Sequence, residues 1–123
     1  MVEVDRGTTQ RLHGWLERLR RGHVEARNEV VEHACERLRL LTRRMLRGYP
    51  GVRRWSETDD VLQGAMIRLH RSLAEVRPES VRQFYGLAAT QIRQELLDLA
   101  RRFNGPEGLA ANHHTDGGES PRR

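Results

Sequence analysis

Apolar residues recur along the chain in steps of three and four, and clusters of glycine and proline break the recurrence into segments, as in helices joined by turns. Four helices are predicted. The first runs from about Thr9 to Arg21, with Leu12, Trp15, Leu16 and Leu19 on one face and Gly22 ending it. In the second, from about Val24 to Arg47, residues Val24, Val31, Ala34, Leu38, Leu41 and Met45 keep the period until Gly48, Tyr49, Pro50 and Gly51 stop it. A third opens at Ser56-Glu57-Thr58-Asp59, where a capping serine precedes a carboxylate that can accept from free backbone N–H groups. Its inward seam is Leu62, Ala65, Met66, Leu69, Leu73 and Val76, and Pro78 closes it near Val76 or Arg77. The fourth begins near Ser80 and turns Val81, Phe84, Ala88, Ile92, Leu96, Leu99 and Phe103 inward.

No strand-like alternation competes with this period, so the pattern predicts an all-α compact bundle over residues 9–103. Residues 1–8 are expected to be a flexible N-terminus. Residues 104–123, rich in Gly, Asn, His and Pro, are expected to be a flexible tail or the start of an interdomain linker. A chain of 123 residues, 37% hydrophobic and 5% aromatic, fits one such domain with an aliphatic core and excludes a multidomain enzyme. No apolar run approaches the roughly 20 residues that span a bilayer, and Met1 to Arg11 lacks the apolar stretch of a secretory signal. A soluble, cytoplasmic protein is expected. Cys35 is the only cysteine, which excludes a disulfide framework and a thiolate zinc cluster and leaves it as a small buried hydrophobe.

Charge adds a second layer. All 22 basic residues are arginine, against 17 acids, for a formal charge of +5. Arginine makes forked contacts with phosphates and carboxylates, so the balance favours an acidic partner weakly. Arg37, Arg39, Arg43, Arg44, Arg47, Arg53 and Arg54 fall within 18 residues that contain no acid. Such a block either meets phosphates or is a solvated face paired with acids on neighbouring helices. Glu57, Asp59 and Asp60 follow at once as the opposite pole, and charges segregated in this way suit two partners of different sign. Acids in a first helical turn also complement the helix dipole, which accounts for Asp59 without any partner. Gln63 lies one turn beyond Asp60 and shares its face. Arg93 and Arg101 lie two turns apart on one side of the fourth helix.

Catalytic chemistry finds little support. His13, His23, His33 and His70 are scattered, and no Gly-rich phosphate loop, HExxH or GxSxG occurs. His113, His114 and Asp116 offer metal ligands on a Gly-rich tail that holds no geometry. No catalytic residue, resident metal or cofactor is expected.

Two segments resemble region 2 of bacterial sigma factors of the extracytoplasmic-function (ECF) group. Glu57-Thr58-Asp59-Asp60-Val61-Leu62-Gln63-Gly64-Ala65-Met66-Ile67-Arg68-Leu69 is similar to that family's acidic opening, its D-[LV]-[VL]-Q core and its closing aliphatic-Arg-aliphatic run. Phe84-Tyr85-Gly86-Leu87-Ala88-Ala89-Thr90-Gln91-Ile92-Arg93-Gln94-Glu95-Leu96-Leu97-Asp98-Leu99-Ala100-Arg101-Arg102 is similar to the promoter-facing helix, F-x-x-W-L-x-x-I-A-R-N-x-x-x-D-x-x-R-R. With the preceding helices the likeness covers about Leu12 to Phe103. It implies a transcription initiation factor domain that binds core RNA polymerase and recognises the −10 promoter element as single-stranded DNA. Asp59, Asp60, Gln63 and Met66 would meet the clamp helices of the polymerase large subunit. The loop Val76-Arg77-Pro78-Glu79-Ser80 would receive a flipped base, with Arg77, Glu79 and Ser80 lining it. Arg93, Gln94 and Asp98 would lie along the DNA, and Arg101 and Arg102 would meet its backbone. An anti-sigma protein is a further partner that the resemblance implies.

The chain departs from the family where a frequent Trp is Leu87 and where Ala-Arg-Asn is Ile92-Arg93-Gln94. An aromatic wedge is therefore missing at that position. A second helical domain that reads the −35 element is also missing, so a shortened chain or the start of a linker is expected. Two rival readings stand beside this one. A helical protein-interaction adaptor would use the acidic pole without binding DNA, and a small metal-dependent hydrolase would use His113 and His114.

Overall fold

Helical period fills the segments, and local hydrogen-bond chemistry decides where each one stops. The computed structural model of the protein describes residues 2–104. Among them it contains five helices and no strand: α1 Val2–Arg20, α2 Ala26–Leu46, α3 Pro50–Arg53, α4 Thr58–Ser72 and α5 Val81–Asn104. The fold is all-α. The predicted tail beyond α5, with His113, His114 and Asp116, lies outside the described residues. α1 starts at Val2, so residues 2–8 continue the helix expected from Thr9.

Gly22 ends α1 as predicted. It adopts φ +96°, a left-handed conformation that glycine takes without steric cost. Its N–H donates to the Leu19 carbonyl at 3.0 Å and the His23 N–H to Arg18 at 3.1 Å, the paired bonds of a Schellman turn. Pro50, read as a helix breaker, instead opens α3, because a helix's first N–H has no partner to lose and proline's fixed φ already suits a first turn. The start of α4 is shifted by one residue from prediction. Asp60, not Asp59, closes the box, accepting from the Glu57 N–H at 3.1 Å, so Glu57 rather than Ser56 is the cap.

α4 ends at Ser72 rather than near Val76. Leu73 is fully buried and fills the last core position, while Val76 is 49% exposed. Arg27 of α2 donates to the His70 carbonyl at 3.3 Å, satisfying one of the last turn's free acceptors. Proline restrains only the residue before it, so Pro78 does not set this end. α5 is capped by Ser80, whose Oγ accepts from the Gln83 N–H at 3.0 Å, while Gln83 Oε1 accepts from the Glu79 N–H at 2.9 Å.

The core has two parts. Leu12, Leu16 and Leu19 of α1 pack with Val30, Ala34 and Leu38 of α2, Leu62 and Leu69 of α4, and Phe84 and Ala88 of α5. Leu46, Val52, Val61, Ala65, Ile92, Leu96 and Leu99 form the second cluster, in which the short α3 closes the end of the bundle against α5. Each buried Leu or Phe stabilises the fold by about 1.5–3 kcal/mol. Of the predicted inward positions, Val24 is exposed at 57%, because α2 starts two residues later. Leu41, Met45, Val81 and Phe103 are half-buried at the margins. Thr42 is the buried polar residue among those described, and its Oγ1 donates to the Leu38 carbonyl at 2.7 Å, as a mid-helix threonine must when no water reaches it. Cys35 is half-buried and free.

Candidate functional site

α4 and α5 pack together along much of their length, and each keeps polar residues exposed. On α4, Asp59, Asp60 and Gln63 are exposed and Met66 is half-buried against the first core cluster. Leu62, Ala65 and Leu69 hold the opposite side of the helix in the core, which fixes Gln63 outward. Between α4 and α2 runs an open groove of about 1050 Å3, with Cys35 and Arg39 on one wall and Asp59, Gln63, Met66 and Ile67 on the other. Ile67 is 50% exposed there.

The acidic end of this groove is already partnered from within. Arg39 Nε donates to Asp59 at 3.0 Å and its Nη1 to Glu36 at 3.1 Å. The hydrogen bond to Asp59, with the charges of Asp59 and Glu36, raises the Arg39 guanidinium further above its already high pKa. Asp60 accepts from the Glu57 backbone. Gln63 has no such tie among the described residues, so its amide is free for a partner.

The loop between α4 and α5 holds Arg77 and Glu79 exposed, Ser80 half-buried and Pro78 buried. The Ser80 hydroxyl caps α5. Arg20 of α1 reaches the loop, its Nη1 donating to the Glu79 carbonyl at 2.9 Å while Nη2 is braced by Glu17 at 2.8 Å. Sequence pattern offered no sign of this tether, because the two residues are 59 positions apart.

On α5, Arg93, Gln94, Arg101 and Arg102 are exposed. Asp98 is not free. It is paired with both Arg68 of α4 and Arg101 of its own helix. Arg68 also donates through Nε to Glu95 at 2.8 Å. The Glu95 bond raises the Arg68 guanidinium, partial burial opposes it, and Asp98 raises it again. Burial pushes the Asp98 carboxyl up, but the hydrogen bonds and charges of Arg68 and Arg101 outweigh it, so its pKa lies below the ordinary 3.8. Arg68 is thus a linking residue between the two candidate helices that local pattern could not identify. Its partners lie 27 and 30 residues away.

Gly64 belongs to the same joint. A Cβ at this position would run into the Glu95 carboxylate, so a bare glycine is what lets Glu95 sit over α4 beside Arg68.

No group of three or more His, Cys, Asp or Glu side chains among the described residues could hold a metal ion. No helix among them is long and apolar enough to cross a membrane. The arrangement provides binding surfaces: an amide and acids beside the groove on α4, and exposed arginines along α5.

The model of the family described as Sigma-70 region 2 matches residues 34–104, which covers most of α2 and all of α3, α4 and α5. No curated protein and no solved structure matches the chain.

Proposed function

Because the chain belongs to the Sigma-70 region 2 family, a family of transcription initiation, we propose that it is an ECF-type member that docks on core RNA polymerase through α4 and engages the −10 promoter strand through α5. The docking face is built from Gln63, Asp60 and Asp59, with Met66 and Ile67 supplying apolar contact across the groove. An exposed amide and acids one turn apart suit a partner helix that carries arginine.

Arg93, Gln94, Arg101 and Arg102 meet the opened strand, mostly through its phosphates, which supplies affinity without sequence information. Specificity then resides in a base drawn out of the stack into the loop of residues 76–80. Asp98 serves this site indirectly. Tied to Arg68, it holds Arg101 on the outer surface of α5.

The observation that carries this reading is the separation of functions over two helices: Gln63 is exposed on α4, Arg93 and Arg101 are exposed on α5, and Arg68 locks the helices together. Capture of core RNA polymerase on the immobilised chain, followed by fluorescence anisotropy with single strands of promoter and scrambled sequence, tests it. Polymerase capture with preference for a promoter strand is expected. Capture without any affinity for DNA at low salt would indicate the adaptor instead.

A further inference from the structure

Most of the arginine block noted in the sequence plays no part in the site just described. Arg39 turns toward α4 and pairs with Asp59. Arg37, Arg43, Arg44, Arg47, Arg53 and Arg54 are all exposed, and none forms an ion pair with a carboxylate of the described residues. Arg20, Arg68 and Arg101 are partnered, and other exposed arginines among the described residues, Arg11, Arg21 and Arg71 included, also lack a carboxylate partner, but nowhere else do six such groups fall within 18 residues.

Their spacing orders them. Arg37, Arg44 and Arg47, with the exposed Leu40, follow one another at steps of three, four and three, which is one stripe along the C-terminal half of α2. That stripe adjoins α5. The Arg37 guanidinium lies 5.1 Å from the centre of the Tyr85 ring, and Tyr85 shares its face of α5 with Arg82 and Arg93 at steps of three and eight. At the other end Arg54 stands 5.7 Å from the Trp55 ring, which in turn is 6.4 Å from Phe103 of α5.

We infer that the outer face of α2 and α3 is a second nucleic-acid surface, which takes the phosphate backbone of promoter DNA beyond the part held by α5. Exposed guanidinium groups that lack a carboxylate partner, two of them braced against aromatic rings, suit a polyanion. The seam marked by Arg37 and Tyr85 joins it to Arg93, so one strand can pass from one surface to the other. Contacts of this kind are sequence-blind and release counterions, so they speed capture and lengthen the footprint without altering which promoter is chosen. The inference extends the reading of α5 as a DNA helix, but it is tested by a different observable.

The test compares the full chain with the triple variant Arg37→Gln, Arg44→Gln, Arg47→Gln and with a charge-matched control, Arg11→Gln, Arg21→Gln, Arg71→Gln, whose three arginines are exposed elsewhere. Anisotropy titrations with a labelled mixed-sequence 30-nucleotide single strand are run over a series of salt concentrations. For the α2 variant the slope of log K against log salt should fall by about 2, at about 0.7 per phosphate contact on a single strand. Promoter and scrambled strands should be affected alike, and the control should keep the wild-type slope. An unchanged slope in the α2 variant would overturn the inference, as would an equal fall in the control. So would loss of polymerase capture with DNA binding intact. Absence of any preference for a promoter strand in the wild-type chain would count against the α5 reading instead, and leaves the slope comparison decisive for α2.

Discussion

Arg68 of α4 donates to Glu95 of α5 at 2.8 Å, with both side chains partly shielded from water. The bond joins the helix that carries Gln63 to the one that carries Arg93. It lies beside Gly64, where any side chain would displace the Glu95 carboxylate. A double-mutant cycle with Arg68→Ala and Glu95→Ala should give a coupling of about 1 kcal/mol, between the value of an exposed pair and that of a buried charge-assisted bond. Urea denaturation measures it. Gly64→Ala should abolish most of that coupling, and its gain in helix propensity of about 0.8–1 kcal/mol should hide the loss in the single variant.

Asp98 gives the joint a pH dependence of defined sign. Its folded-state carboxyl titrates below 3.8 because the hydrogen bonds and charges of Arg68 and Arg101 overcome burial. A depressed pKa contributes stability that is fully present above the unfolded value and is lost as pH falls through the folded one. Thermal melting from pH 6 down to pH 2 should therefore show the wild type losing more stability below about pH 4 than Asp98→Asn does. Parallel curves would mean that the Arg68 and Arg101 contacts do not persist in solution.

Docking and capping can be separated on α4. Gln63→Ala should weaken capture of core polymerase about fivefold, the effect of one hydrogen bond of about 1 kcal/mol, and change stability by less than about 0.5 kcal/mol. Asp60→Ala should weaken capture and also destabilise the domain by about 1 kcal/mol, because it removes the acceptor for the Glu57 N–H. Asp60→Asn keeps an acceptor oxygen without the charge, so it should restore the stability and leave capture impaired. Surface plasmon resonance and thermal melting on the same three proteins resolve the two roles.

The parts of the molecule legible in the sequence are those where one helix meets the core along its whole length. Phe84, Ala88, Ile92, Leu96 and Leu99 are all buried, as their spacing requires. Val24 and Val76 fit the same arithmetic and are exposed, because periodicity says which face is apolar and not where the neighbouring helices stop covering it. Pro50 and Gly51 carry the same letters whether they break a helix or begin one, so α3 was hidden. Gln63 and Arg93 stand off the apolar seams, which pointed to exposure, and both are exposed. What could not be read is every contact that crosses between elements: Arg39 with Asp59, Arg68 with Asp98, Arg20 with Glu79. Arginine carries no local sign of its partner. Only the folded backbone distinguishes those held by an acid from the stripe on α2 that is not.

The Arg20 contact leads to the last expectation, which concerns selectivity rather than strength. Its guanidinium holds the Glu79 carbonyl and is itself oriented by Glu17, so α1 fixes the backbone of the loop proposed to take the flipped base. The bond is solvent-exposed, and its loss should cost the fold little. A loop that samples more conformations, however, must be reordered whenever a base enters, and that cost falls only on the sequence the loop recognises. Arg20→Gln should therefore weaken binding of a −10 strand selected for tight binding to the wild-type chain by about fivefold, the equivalent of about 1 kcal/mol, and leave a scrambled strand unaffected. Arg20→Lys can hold one partner but not both, and should fall between them. Equal weakening of both strands would show that Arg20 acts through its charge on the phosphates and not through the loop.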